Sequence, residues 1–272
     1  MIAIVTETLS CMNVADCASY GVSLAPMDCI MGGRCFHDRI VATEEPVTDE
    51  GGYTVPPTEE EYRTRFETLL GEFDAILCIT ASRKFSDSHR HALMAALPLS
   101  GRVVVIDSGS VAGGLFLLVL HARHMISLGY PMSRIKVELE SYKHTLRVSF
   151  TANSTKVLQN AKKLSYQLPV GRPILSQQPV FRIEKGGIGV ATFTTGDHRI
   201  ADEMLSVLTP PPDSGRRAPS HVVIHYANRT PGVEYLVSRV RELYPSATVY
   251  ERPITLSLQV NLGRDIVGII GD

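Results

Sequence analysis

A chain of 272 residues, 44% of them hydrophobic, is long enough for one large or two modest domains with buried cores. A formal charge of −1 and a pI near 6.8 leave no basic footprint for nucleic acid or an acidic membrane surface. The five cysteines, Cys11, Cys17, Cys29, Cys35 and Cys78, form no CxxC pair, which argues against a disulfide framework or a structural zinc and fits a reducing cytoplasm.

The opening MIAIVTETLS has no basic region ahead of its apolar residues and reads as a first strand, not a secretory signal. A helix near Cys11 to Tyr20 follows, then strand-like VSLAP and CIMGG, then a long polar connection from Asp38 to Pro57. Thr58 with Glu61 forms a capping-box pattern that opens a helix to Gly71, and Pro56 and Pro57 hold Thr54 in an extended segment just before it. Phe73 to Ile79 is a short apolar strand. Beyond it, Ser82 and Ser86 sit in a hydroxyl-rich turn, and Ser86 opens a helix to Ala96. The strand VVVIDS and a helix from Ser110 to Leu128 complete this half. The run Val111 to Leu120 is broken by Gly113 and Gly114 and ends in His121, Arg123 and His124, so it reads as a buried helix and not a membrane span.

This alternation predicts an α/β/α domain with a parallel sheet, whose ligands sit beyond the carboxyl ends of its strands. The rule singles out Thr6-Glu7-Thr8, Thr80-Ala81-Ser82 and Asp107-Ser108, although turns are polar for their own reasons. A serine at a helix start such as Ser86 either caps free N–H groups or presents its hydroxyl to an incoming anion. A third use, as a nucleophile with His89 or His91 as base, would also require an oxyanion hole and an orienting group, and the chain has no GxSxG elbow.

After a helix at about Ser133 to Thr145 the pattern changes to VSFTAN, RPILSQQ, PVFRIEKG, GIGVATFTT, HVVIHYA, ATVYERP and DIVGIIG, with helices expected at Ser154 to Tyr166, Arg199 to Leu208 and Gly232 to Tyr244. This half predicts a two-layer α/β domain with a mixed sheet, and the boundary falls near residue 150, giving domains 1–150 and 151–272. Segment 209–219, with four prolines and two arginines, reads as an exposed loop. Gly186-Gly187-Ile188-Gly189 lies between two strands, so it reads as a hairpin turn and not a phosphate cradle. The adjacent pairs His37-Asp38 and Asp197-His198 do not converge on one ion. Neither a metal nor a nucleotide is expected.

Taken in order, IVTETLS at 4–10, YGVSLAP at 20–26, Thr54 ahead of its helix, SRKFSDSHRHA at 82–92, VVVIDSGSVAGGLFLLVLHA at 103–122, RPIL at 172–175 and NLGRDIVGIIGD at 261–272 resemble the DegV proteins along the whole chain. Members of that family bind fatty acids and serve in bacteria as acyl-carrying subunits of a fatty acid kinase. The resemblance implies two α/β domains, an acyl tail in an apolar tunnel of the first, and a carboxylate at the domain interface held by hydroxyls matched here by Ser86 and Thr54. On this reading the protein is a cytoplasmic, non-catalytic carrier with a bound fatty acid as ligand, no further cofactor, and a kinase as partner. Ser82, Asp87, Asn261 and Gly263 fall in the same matched ligand segments.

The departures are chemical. Asp87 stands where the family usually has glycine, and a second acid there repels a carboxylate unless it faces solvent or is protonated. Asn261, Gly263, Arg264 and Asp265 replace a histidine followed by Gly-Pro-Gly; Asn261 still donates an N–H but takes up no proton. The family's arginines tied to phosphotransfer match Lys163 and Gly196, with His198 and Arg199 close by as substitutes. A regulatory module that has given up its ligand is the alternative these departures raise, and a serine esterase is the other.

Overall fold

The computed structural model describes residues 1–38, 52–152, 177–184, 187–209 and 217–272. The chain divides into two compact units, Met1–Thr145 with Thr255–Val260, and Leu146–Ile254 with Asn261–Asp272. A single cut near residue 150 does not include that return of Thr255–Val260 to the first unit.

The first unit is built on β1 (Ile2–Glu7), β2 (Val22–Ala25), β6 (Ala75–Thr80) and β7 (Val103–Asp107), in the order β2-β1-β6-β7 with every pairing parallel. A parallel sheet is covered on both faces, which is why these strands read as nearly continuous apolar runs. Ala3, Val5, Ile76 and Cys78 pack against Tyr62 and Phe66 of α2 (Glu59–Leu70) and Ala92 and Ala95 of α3 (Ser88–Ala96). Ile4, Leu77 and Ile79 alternate onto the other face and are equally buried, and α4 (Gly113–Ser127) contacts β1 and β6. The capping box of α2 forms as its residues predict: Thr58 N–H donates to Glu61 Oε2 at 2.6 Å and Glu61 N–H to Thr58 Oγ1 at 3.2 Å. A short helix α1 (Val14–Tyr20) and α5 (Met132–Tyr142) complete the layer elements of this unit.

A second, antiparallel sheet occupies what the sequence reads as strand and connection: β3 (Asp28–Met31) lies between β4 (Arg34–His37) and β5 (Tyr53–Val55). One face buries Cys29 and Met31 against Leu256, with Phe36 and Val260 alongside. Leu256 and Val260 belong to α8 (Leu256–Leu262), a helix that sequence periodicity misses. Asp38 ties it down: the Ser257 hydroxyl donates a short hydrogen bond to Asp38 Oδ2, and Ser257 N–H donates at 3.4 Å. Burial pushes the Asp38 carboxyl upward, opposed by the hydroxyls of Ser257 and Thr8.

The second unit is a mixed six-stranded sheet in the order β10-β9-β8-β13-β11-β12, made of β8 (Arg147–Thr151), β9 (Gln178–Glu184), β10 (Gly187–Thr194), β11 (His221–Tyr226), β12 (Thr248–Pro253) and β13 (Val267–Gly271). The β9–β10 pairing is antiparallel, as a hairpin requires. Helices α6 (Asp197–Leu205) and α7 (Pro231–Leu243) pack on each other and on the sheet, closing a core of Ile200, Met204, Val233, Leu236, Val222 and Ile269. The expected helix Ser154–Tyr166, the RPIL strand and most of segment 209–219 lie outside the described residues. Among the described residues no helix is long and apolar enough to cross a membrane.

Asp272 closes this unit by accepting from Ser220 N–H at 2.7 Å, His221 N–H at 2.9 Å and His221 Nδ1 at 2.9 Å. Burial pushes its carboxyl up, but these bonds outweigh it and bring the value down to about 2, while His221 is raised by the same carboxylate. The Asp272 share is present above the ordinary carboxylate value and fades as pH falls towards 2. The His221 share is present below the ordinary imidazole value and fades as pH rises through the raised one. Asp272→Asn is expected to cost about 1 kcal/mol near pH 5.5, because the imidazole is half-exposed. Urea unfolding at that pH checks it; an unchanged midpoint contradicts the assignment.

Candidate functional site

All four parallel strands of the first sheet point their carboxyl ends at one edge, and that edge is lined with hydroxyls and acids. From β1 come Thr6, Glu7 and Thr8; from β6, Thr80 and Ser82; from β7, Asp107, Ser108 and Ser110. Of these eight, all but Asp107 are buried. Thr6 Oγ1 donates to Ile79 O at 2.7 Å, Ser108 Oγ to Ser110 O at 2.9 Å, and Ser82 N–H to Ser110 O at 2.8 Å, so the ends of adjacent strands are cross-tied. Such bonding is required, because buried polar groups are costly unless satisfied.

The turn Ser82 to Asp87 projects from this edge. Ser82 is its pivot: its carbonyl accepts from Phe85 N–H at 2.8 Å and Ser86 N–H at 3.1 Å, and its hydroxyl accepts from Lys84 N–H at 3.3 Å. The helix starts two residues later than the sequence predicts, at Ser88. Half-buried Ser86 sits just ahead of it, with its hydroxyl accepting from Ser88 N–H at 3.2 Å. Capping and anion binding are compatible, because a hydroxyl that accepts one bond still carries a proton to donate. Asp87 occupies the cap position without a side-chain cap bond; it is exposed and pairs with Arg90 at 3.7 Å, so its charge faces solvent. That removes the repulsion its presence raises.

Thr54 lies in the middle of β5, opposite Cys29, and is half-buried. The alternation of the strand puts it on the covered face, while Tyr53 and Val55 are exposed. Two contacts hold the segment after it against α3: His91 Nδ1 donates to the Pro57 carbonyl at 2.8 Å, and Tyr62 Oη bonds Ser88 Oγ at 2.7 Å in the interior. Each candidate base has its Nδ1 held: His91 Nδ1 on the Pro57 carbonyl and His89 Nδ1 on the Thr80 hydroxyl at 3.0 Å, and burial lowers the His89 imidazole.

Sequence reasoning underrates Glu7, which it flags only as one polar strand end among several. Its carboxyl is fully enclosed, accepts from Ala81 N–H at 2.6 Å and faces the Ser88 hydroxyl. Burial pushes it up to about 7, against the opposing pull of Ala81 and Ser88. A carboxyl pushed up to about 7 is only partly ionised at neutral pH, so behind the serine turn it adds less negative charge to the edge than an ordinary glutamate would.

In the second unit, α6 and α7 flank a cavity of ≈ 220 Å³. Its aliphatic walls include Ile200, Met204, Val233 and Leu236, and Asp197 and Asp265 stand among its polar lining. The sequence reading sets the tail beside Gly113 and Gly114 of α4, and Gly113 through Val119 are all buried in the first unit. Asn261 and Gly263 belong to the second unit, at the end of α8 and just past it, where Gly263 adopts φ 96°. His198 stacks on Tyr235 with ring centroids 4.0 Å apart, and Arg199 is exposed on the first turn of α6. Gly196 has a conformational reason to be glycine: it caps α6 at φ 86°. Lys163 lies outside the described residues.

A two-unit α/β protein, with one parallel and one mixed sheet and a hydroxyl-lined strand edge, is the class these features define. A family model described as "Uncharacterised protein, DegV family" matches residues 1–271, and the chain belongs to the DegV family. A DegV domain-containing protein of Deinococcus radiodurans is 24% identical over 204 residues, 73% of each chain. Among solved structures, a fatty-acid-binding DegV family protein from Thermus thermophilus superposes with a TM-score of 0.87 at 20% identity, covering 99% of this chain and 98% of that one. A stearic-acid-binding protein from Eubacterium ventriosum gives 0.87 at 18% identity, covering 100% and 98%.

Proposed function

We propose that this protein binds a long-chain fatty acid without turning it over, holds the carboxylate with the Ser86 and Thr54 hydroxyls backed by Ser82, and presents it to a partner kinase in the cytoplasm. The observation that carries the reading is the Ser82–Ser86 turn, whose hydroxyls stand at the carboxyl edge of a parallel sheet with the neighbouring acid, Glu7, pushed up to about 7. Fatty-acid binding by structural relatives supports it. Asp87 is left to solvent, and Lys163, His198 and Arg199 are the residues proposed to serve the partner.

For the tail, an apolar tunnel of the first unit beside the buried aliphatic run Gly113 to Val119 of α4 is the proposed place. Transfer of a sixteen-carbon chain from water contributes on the order of 10 kcal/mol before ordering costs, so the complex should survive purification. Denaturing the purified protein and analysing the organic extract by mass spectrometry is expected to return a long-chain acid near one equivalent. An extract without acid, from protein that also gains no thermal stability on adding hexadecanoic acid, supports instead a module that has given up its ligand.

A further inference from the structure

The β3–β4 pairing sets Asp28 directly opposite His37 and Ile30 opposite Cys35. Side chains two residues apart on a strand share a face, so Asp28, Cys35 and His37 all project from the face opposite to the one that buries Cys29, Met31 and Phe36. Each brings one donor atom, a carboxylate oxygen, a thiol sulfur and an imidazole nitrogen, and all three lie within 4.8 Å of one another. His37 Nδ1 and Asp28 Oδ1 are already in contact at 2.6 Å. A tetrahedral zinc ion, with bonds of about 2.0–2.3 Å, needs donors roughly 3.3–3.8 Å apart, which small rotamer changes reach from here.

We propose that Asp28, Cys35 and His37 form a binding site for a divalent cation of borderline softness, zinc being the fitting case, with its fourth position open to water or an exogenous ligand. One sulfur, one nitrogen and one oxygen donor is a set that hard magnesium or calcium does not favour. On binding, Cys35 releases its thiol proton to solvent and ligates as thiolate, and His37 ligates as neutral imidazole. Adjacent residues such as His37 and Asp38 cannot share the ion, as the sequence reading holds, and Asp38 is in fact turned inward to Ser257. The convergence comes from cross-strand register. Because β5, which carries Thr54, pairs with the other edge of β3, an ion here would staple the hairpin that borders the proposed head-group site.

The test uses the full chain carrying Cys17→Ser, which leaves Cys35 as the exposed thiol since Cys11, Cys29 and Cys78 are buried. Titration with zinc chloride by calorimetry is expected to show one equivalent, with Cys35 losing its reactivity to a thiol reagent in step. Cobalt chloride is expected to give a sulfur-to-metal charge-transfer band. Cys35→Ser, His37→Gln and Asp28→Asn should each weaken binding at least tenfold, and none removes a core side chain. Binding changed less than threefold by Cys35→Ser and His37→Gln, or an undiminished thiol reaction with zinc present, overturns the proposal.

Discussion

Glu7→Gln is expected to stabilise the protein at pH 8 by about 2 to 3 kcal/mol more than it does at pH 5. The carboxyl is fully buried and pushed up from 4.5 to about 7, so the folded chain holds this proton more tightly than the unfolded chain does. Stability from that preference is complete below about 4.5, declines as pH rises from there to about 7, and is flat above. At 1.36 kcal/mol per unit the whole interval amounts to about 3 kcal/mol. Glutamine keeps an oxygen to accept from Ala81 N–H and carries no charge to bury. Chemical denaturation of both proteins at the two pH values reads the difference, which isolates Glu7 from Asp38, Asp272 and the histidines common to both. Equal effects at pH 5 and pH 8 would contradict a protonated, enclosed Glu7. The consequence for the proposed head-group site is electrostatic: an acid only partly ionised at neutral pH would repel a carboxylate less than an ordinary glutamate.

Ser86→Ala is expected to weaken fatty acid binding about 10- to 100-fold, since a hydrogen bond to a charged group contributes about 1.5–3 kcal/mol. Thr54→Ala should weaken it by a similar factor, and the double variant should lose most measurable affinity. Ser86→Ala also takes the acceptor from Ser88 N–H, a stability cost of about 1 kcal/mol that is separable from binding. The structural control is Ser86→Thr, which restores the hydroxyl and should recover most of the affinity. A double variant that binds within twofold of the parent would move the head group away from these residues.

Much of the fold was legible because it is encoded locally. The apolar runs of β1, β6 and β7 announced a sheet buried on both faces, and Thr58 with Glu61 announced a helix start that the backbone adopts. What was missed is encoded at a distance. Strands β4 and β5 are four and three residues long, too short for a period of two to stand out, and are recognisable only from their pairing with β3. Helix α8 depends on the Asp38–Ser257 bond across more than two hundred residues, which no window of sequence contains. The same divide runs through the proposed site. Ser82, Ser86 and Thr54 stand out in the sequence from their place at strand ends and ahead of helix starts. Glu7 was not, because a carboxyl after a strand looks like any turn residue until three neighbouring elements enclose it. Gly196 seemed only a lost arginine until its backbone at φ 86° gave it a purpose.

The most direct test of the central claim is calorimetric titration of the protein, stripped of lipid by organic extraction and refolded, with hexadecanoic acid and in parallel with its methyl ester. The account predicts one equivalent of acid bound at submicromolar concentration, with the ester at least tenfold weaker because it offers the hydroxyls no carboxylate. Failure of refolded, native-like protein to bind the acid, or equal affinity for acid and ester, would contradict it.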